Sequence, residues 1–415
     1  FPYTTLFRSG IILLLNIPYV QHRMSVLVAK ELSTVLGSEL TVGRINIGLL
    51  NRIIIDDLVL NDQSGKELLK IGRLSAKFEI LPLFSGKISI GNVQLFSFNA
   101  NLERPTPQAS TNFQFVLDAF ASKDTVKKKS NLDLRINSLL IRRGKVSYDV
   151  LSAESTPGKF NPQHIRLSNI LANISLKALQ NDSVNAAIKR MSVEEEHSGF
   201  ELKKLSLKII ANDRKMRIEN FAIDLPNTSL AMDTIRMEYD SLESLGHFTD
   251  DVRFSFRMLP SEVALQDISA FVPAFKPFKE KLKLEMEAAG TVNRLNCPKL
   301  LISSNDHFLL KGNVSLQDLS HPQDAYIFGN LSNLYADPDG IAFFVRNLSK
   351  DYKGVPPVLQ NLGTVSFRGE ISGYFTDLVT YGEVRTDIGT IKTDVKLSSD
   401  KDKGYFAYSD RKSVV

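Results

Sequence analysis

The segment Lys281-Leu282-Lys283-Leu284-Glu285-Met286-Glu287-Ala288 puts an apolar residue at every even position and a charged one at every odd position. Successive side chains of a β-strand point to opposite sides of the pleat, so a period of two marks a strand with one apolar and one hydrated face. Val252-Arg253-Phe254-Ser255-Phe256-Arg257-Met258 and Ile391-Lys392-Thr393-Asp394-Val395-Lys396-Leu397 alternate in the same way. Shorter alternations occur at Leu132, Leu134 and Ile136, and at Leu205, Leu207 and Ile209. The turn residues between them, Asn61-Asp62-Gln63-Ser64-Gly65, Arg143-Gly144 and Asn212-Asp213, point to hairpin following hairpin. Phase slips near Gly91-Asn92 and Leu95-Phe96, in what reads as a strand pair from Ile88 to Leu102, suggest β-bulges.

Helical periods are scarce. One amphipathic helix follows Gln21, with Met24, Leu27/Val28, Leu32 and Val35/Leu36 on one face and Gly37 as C-cap; a second starts near Thr111 and groups Phe113, Val116/Leu117 and Phe120. Two helices cannot cover the apolar face of on the order of twenty strands. The expected fold is therefore mainly β: an elongated, twisted antiparallel sheet forming an open apolar groove, a repeating β-taco, with an N-terminal helix and a few short ones. Most strands read as near seven residues long. The groove-lining residues are expected to be Leu132, Leu134, Ile136, Leu205, Leu207, Ile209, Phe254, Phe256, Leu282, Leu284, Met286, Val395 and Leu397. A weak internal repeat relates Gly290–Leu316 to Gly373–Leu397, which suits a repeated multi-strand unit.

The 415 residues carry a net charge of +5, spread through the strands, which is weak evidence for an anionic partner. A single cysteine, Cys297, excludes an internal disulfide framework. Chemistry-bearing clusters are missing from the sequence. The six histidines, His22, His164, His197, His247, His307 and His321, lack metal-ligand spacing. Asp306-His307 beside Ser303 and Ser304 sits within one short turn, where side chains cannot converge on a reacting atom. Glu194-Glu195-Glu196 reads as turn and solvent-face acids, and no phosphate-binding loop occurs. The phenylalanines fall at apolar strand positions and Trp is absent, which argues against nucleic-acid binding. No catalytic residue, cofactor or metal is expected, and the chain reads as a non-enzyme.

Gly10-Ile11-Ile12-Leu13-Leu14-Leu15-Asn16-Ile17-Pro18-Tyr19-Val20 is about half the length of a spanning helix. Residues 10–20 are expected to be the outer end of a truncated membrane anchor, with Ile11, Ile12, Leu13, Leu14 and Leu15 in the apolar layer. Residues 1–9 and 409–415 resemble translated sequencing-adapter read-through, so an interior fragment of a longer gene is expected.

Asn16-Ile17-Pro18-Tyr19-Val20-Gln21 with its helix, Leu40-Thr41-Val42-Gly43-Arg44-Ile45-Asn46-Ile47 and Ile55-Asp56-Asp57-Leu58-Val59-Leu60 resemble the N-terminal region of the TamB-like translocation-and-assembly-module family, within the AsmA-like superfamily. Ile88-Ser89-Ile90-Gly91-Asn92-Val93, Asn112-Phe113-Gln114-Phe115 and the strand from Leu139 to Asp149 add to the likeness. The resemblance implies an AsmA-like α+β region at 21–130 and a repeating β-groove at 131–408. It further implies an inner-membrane-anchored protein with its bulk in the periplasm of a Gram-negative envelope. Its expected partners are phospholipids, the inner membrane and, through a C-terminal region absent here, an outer-membrane assembly protein of the Omp85 type. The expected function is passage of phospholipid between the two membranes in support of outer-membrane biogenesis. The alternatives are a structural tether or assembly scaffold whose apolar faces close on each other, and an outer-membrane β-barrel.

Overall fold

A computed structural model describes residues 17–48, 52–78, 88–120, 132–133, 137–180, 183–304, 307–321, 324–348, 354–355, 357–374, 377–400 and 404–409. The chain is mainly β and divides into two compact units, Phe1–Lys177 with Ala186–Leu205, and Ala178–Asn185 with Ser206–Val415.

The first unit begins with helix α1 (Pro18–Leu36), closed by Gly37 in the left-handed conformation at φ 64°. An amide in that conformation ends the helix by turning back on it, here from Ser38 N–H to the Ser33 carbonyl. Strands β1 (Leu40–Gly48), β2 (Arg52–Asn61), β3 (Glu67–Phe78) and β4 (Ile88–Arg104) pair antiparallel in sequence order. Helix α2 (Gln114–Phe120) precedes the two-residue β5 (Leu132–Asp133), and β6 (Ser138–Val150) then joins β4 in parallel before pairing antiparallel with β7 (His164–Gln180). The core at this end sets Leu36 of α1 against Leu40, Leu60 and Leu68, with Leu32, Phe113, Phe115 and Val116 packed around them. The helices thus cap the apolar side of the first strands, as the period of α1 requires.

Four sequence expectations change here. The inner face of α1 runs through Gln21, Ser25, Ala29, Leu32 and Leu36, whereas Leu27 and Val35 are 60% and 56% exposed. Successive helical residues lie about 100° apart, and here the packing takes in Val28 and Leu36 and leaves Leu27 and Val35 outward. Ile88 to Arg104 is one strand; its phase slip at Gly91 is a true bulge, with Lys77 opposite Asn92 and Phe78 opposite Ile90, but no register shift occurs at Leu95-Phe96. The reversal near there is instead Ser97 at φ 53°. Arg143-Gly144 is not a turn. Strand β6 continues through it, with its register against β7 shifting on either side of Gly144; Arg143 is at φ 56°, and Gly144 lies under the ring of Phe98, leaving no room for a Cβ.

Strands β8 (Ser183–Glu195) and β9 (Phe200–Ala211) follow. In the second unit β10 (Lys215–Asp224), β11 (Ser229–Glu238), helix α3 (Phe248–Asp251), β12 (Arg253–Ala264), β13 (Lys281–Thr291), β14 (Arg294–Ser304), β15 (Phe308–Gln317) and β16 (Tyr326–Ala336) come next. Helix α4 (Pro338–Leu348) then leads to β17 (Val365–Tyr374), β18 (Asp377–Thr386), β19 (Gly389–Asp400) and β20 (Gly404–Ser409). From β10 to β20 every strand pairs antiparallel with the next. Among the described residues no pairing returns β20 to β10, so the sheet is open rather than a barrel. Apart from the two-residue β5 and the six-residue β20, strands of 9 to 17 residues replace the seven-residue ones expected. Bulges carry one strand through two apolar phases, which in the sequence look like two strands. Strand length therefore does not argue against a membrane barrel; the unclosed sheet does.

The repeat relating Gly290 to Gly373 has a structural counterpart. Both glycines sit one residue before a hairpin turn, at φ 131° and 132°, and a Cβ on either would run into a carbonyl oxygen across the hairpin, that of Arg294 or of Asp377.

Candidate functional site

The second unit brings its apolar residues into rows that cross the strands. Met216, Met237, Phe254, Gly290, Leu295, Leu316, Ile327, Gly373, Leu378 and Leu397 are successive register partners from β10 to β19. A second row runs Phe221, Met232, Met258, Met286, Leu300, Gly312, Leu331, Gly369, Gly382 and Thr393. A third runs Leu284, Ile302, Leu310, Leu334, Phe367, Val384 and Ile391. Directly opposed residues share a face, so these rows make one apolar surface across ten strands.

The opposite face carries the charges. Lys299 pairs with Glu285, Arg257 with Asp233, Lys208 with Glu219, and Lys396 with Asp377. These exposed cross-strand pairs stabilise little individually, but they keep the charged side in water and hold the register.

Bulges keep the apolar surface continuous. In β11 the apolar positions are Leu230, Met232, Ile235 and Met237, and in β14 they are Leu295, Cys297, Leu300 and Ile302. A step of three would turn half of each strand outward, since parity reverses. Each strand absorbs the extra residue in a register shift: Met232/Ile235, Met258/Ser261, Cys297/Leu300 and Leu331/Leu334. The shifts fall beside one another in mid-strand and form a crease, because a bulged strand bends and twists more strongly. Where the crease reaches β17 and β18, glycines take over. A Cβ on Gly369 would lie 2.6 Å from the Gly382 Cα and 2.9 Å from the Phe367 ring. That close backbone approach under an aromatic ring is how glycine kinks curve a sheet.

Most residues of these rows are half-buried rather than sealed, including Phe254, Leu284 and Met286, as are Phe256, Leu282 and Val395 on the same strands. Met258, Leu331 and Phe367 along the crease are buried. Cys297 also lies within this face, where burial pushes its thiol pKa up and so disfavours the reactive thiolate.

Of the expected lining residues, the structure brings together Phe254, Phe256, Leu282, Leu284 and Met286 on the paired strands β12 and β13, and places Val395 and the backbone position of Leu397 on β19. Leu205, Leu207 and Ile209 are half-buried in β9, with Leu205 in the first unit and the other two in the second. Leu132 lies in β5 of the first unit, paired with Ile88. Leu134 and Ile136 lie outside the described residues, as do the anchor residues Ile11, Ile12, Leu13, Leu14 and Leu15. No helix among the described residues is long and apolar enough to cross a membrane.

Sequence reasoning missed several polar devices. Glu195, 2% exposed, accepts hydrogen bonds from Ser198 Oγ at 2.5 Å and from the backbone N–H groups of Ser198, Arg166 and His197. Burial alone would raise its pKa, but these four donors outweigh that and hold it below the usual glutamate range. His164 bridges the Asp149 carboxylate and the Ala153 carbonyl, and the bond to Asp149 raises its pKa. His307 Nδ1 lies 2.6 Å from Asp337, which also caps the Gly340 N–H at the start of α4. Asp339 completes a group of three possible ligands there, but it is 81% exposed and Asp337 is engaged in capping. The connections β12–β13 and β16–β17 meet through Phe275, Phe278 and Phe343, edge to face at 5.9 and 6.0 Å, and through an ion pair between Glu280 and Arg346.

No protein-family model matches the chain, and no curated protein or solved structure is detectably similar to it.

Proposed function

We propose that this protein conducts phospholipids between the inner and outer membranes of a Gram-negative envelope, held at the inner membrane with its bulk in the periplasm, and so supports outer-membrane biogenesis. The observation that carries the reading is the half-buried apolar surface that runs unbroken, in register, from β10 to β19. Each acyl methylene exposed to water costs roughly 0.8 kcal/mol, so a tail of a dozen carbons costs on the order of 10 kcal/mol to carry across an aqueous gap. A surface that replaces this water along successive strands lowers that cost at every position. The resemblance to the TamB-like family supports the same reading, including an assembly partner of the Omp85 type at the outer membrane.

The scaffold reading buries the same side chains against protein instead. Mass spectrometry of lipid retained by the purified full chain separates the two. Phospholipid at about one or more per chain supports conduction, and lipid-free protein with the same rows protected from solvent labelling would overturn it.

A further inference from the structure

Five of the seven methionines in the chain, Met216, Met232, Met237, Met258 and Met286, stand on the apolar face of four consecutive strands, β10 to β13. They are neighbours, not merely on the same side: Met216 opposes Met237, Met232 opposes Met258, and Met258 opposes Met286. The rest of the face, β14 to β19, is built from Leu, Ile, Val, Phe, Cys, Gly and Thr and holds no methionine. Methionine is unbranched, with three rotatable bonds and a polarisable sulfur, so such a cluster repacks around ligands of differing shape. Beside it, the rings of Phe248, Phe254 and Phe256 stack in sequence, each 6.1 Å from the next, from the 38% exposed Phe248 at the strand ends into the patch.

We propose that β10–β13 form an adaptable acyl-chain subsite, entered along the Phe248–Phe254–Phe256 stack, that accepts straight and kinked lipid tails alike. The inference rests on the lipid reading above and adds where the tail sits and what sets its breadth. Two observations favour an alkyl chain over an apolar polypeptide as the occupant. Among the patch rows the polar side chain is Ser261, and its hydroxyl is already used within the sheet, donating to the Leu259 carbonyl and accepting from Ala231 N–H. A polypeptide laid on this face would therefore bury N–H and C=O groups without partners, which costs free energy at every residue, whereas an alkyl chain has none to satisfy.

The test uses the full chain with vesicles of phosphatidylglycerol bearing a diazirine in one acyl chain, irradiated and mapped by mass spectrometry. Labels should concentrate on Met216, Met232, Met237, Met286 and their neighbours. Unlabelled dipalmitoyl and dioleoyl phosphatidylglycerol should compete within about twofold of each other, and the variant with those four methionines changed to Leu should separate them by about fivefold or more. This volume-conserving variant should keep the wild-type circular dichroism. Labels confined to β14–β19 would overturn the subsite and leave conduction standing, and labels absent from the whole face would overturn both. An unchanged competition ratio in the Leu variant would overturn the role of methionine. Displacement of the label by an unfolded apolar polypeptide, and not by lipid, would overturn the choice of occupant.

Discussion

Replacing Leu284 with Asp places a carboxylate in the third apolar row, between Ser261 and Ile302, without touching the polar face. Leu284 is half-buried, so the folded state should lose about 1–2 kcal/mol of apolar burial, which an open sheet of this size tolerates. The carboxylate keeps its hydration shell and bares the stretch of tail passing over it. Three or four methylenes at roughly 0.8 kcal/mol each amount to about 3 kcal/mol, or about a hundredfold fall in occupancy at that position. Phe256→Arg should act alike in its own row. The control is Glu285→Ala, one residue away on the opposite face, which removes only an exposed pair with Lys299 and should cost about 1 kcal/mol or less. The assay is crosslinking of acyl-diazirine phospholipid at neighbouring rows, together with outer-membrane permeability to a large apolar dye in cells. If the folded Leu284→Asp protein crosslinks lipid within about twofold of wild type, or if Glu285→Ala lowers it equally, the apolar face is not the lipid path.

Gly369→Ala should cost about 1–3 kcal/mol by denaturant titration, since its Cβ would press on Gly382 and the Phe367 ring, whereas Gly246→Ala, with nothing near its Cβ, should be close to neutral. Equal effects at the two sites would remove the crease as a close-packed feature. Glu195→Gln should cost about 1–3 kcal/mol, because an amide cannot accept all four hydrogen bonds that the carboxylate receives. The Glu195 pKa is lower in the folded than in the unfolded chain, so its contribution is complete above the ordinary glutamate range and is lost as pH falls through the folded value. The acid limb of wild-type stability should therefore be steeper than that of Glu195→Gln; identical limbs would refute the assignment.

Local alternation was enough to read the two-faced strands and the scarcity of helix, and the turns at Asp62 and Asn212 were legible because their side chains bond their own backbone. Asp62 Oδ1 accepts from Ser64 and Lys66, and Asn212 Oδ1 from Arg214 and Lys215. The crease was written as a repeated step of three between apolar positions, visible at Met232/Ile235 and Cys297/Leu300, but it reads equally well as a strand end until a partner strand supplies the register. Glu195 gave no warning of burial, because its four donors include Arg166, 29 residues away on another strand. For the same reason α1 could be recognised as amphipathic while the choice between Leu27 and Val28, or Val35 and Leu36, belonged to the sheet beneath it.

The sequence by itself determined that the strands have one apolar and one charged side, since pleating makes that a property of each segment and its nearest neighbours. Only the tertiary structure decided that ten of those sides align into one surface, where it creases, and that five methionines scattered over 71 positions become neighbours. Register between strands depends on which bulge faces which glycine across the ladder, and that is settled by pairing between distant residues, not by any stretch of chain alone.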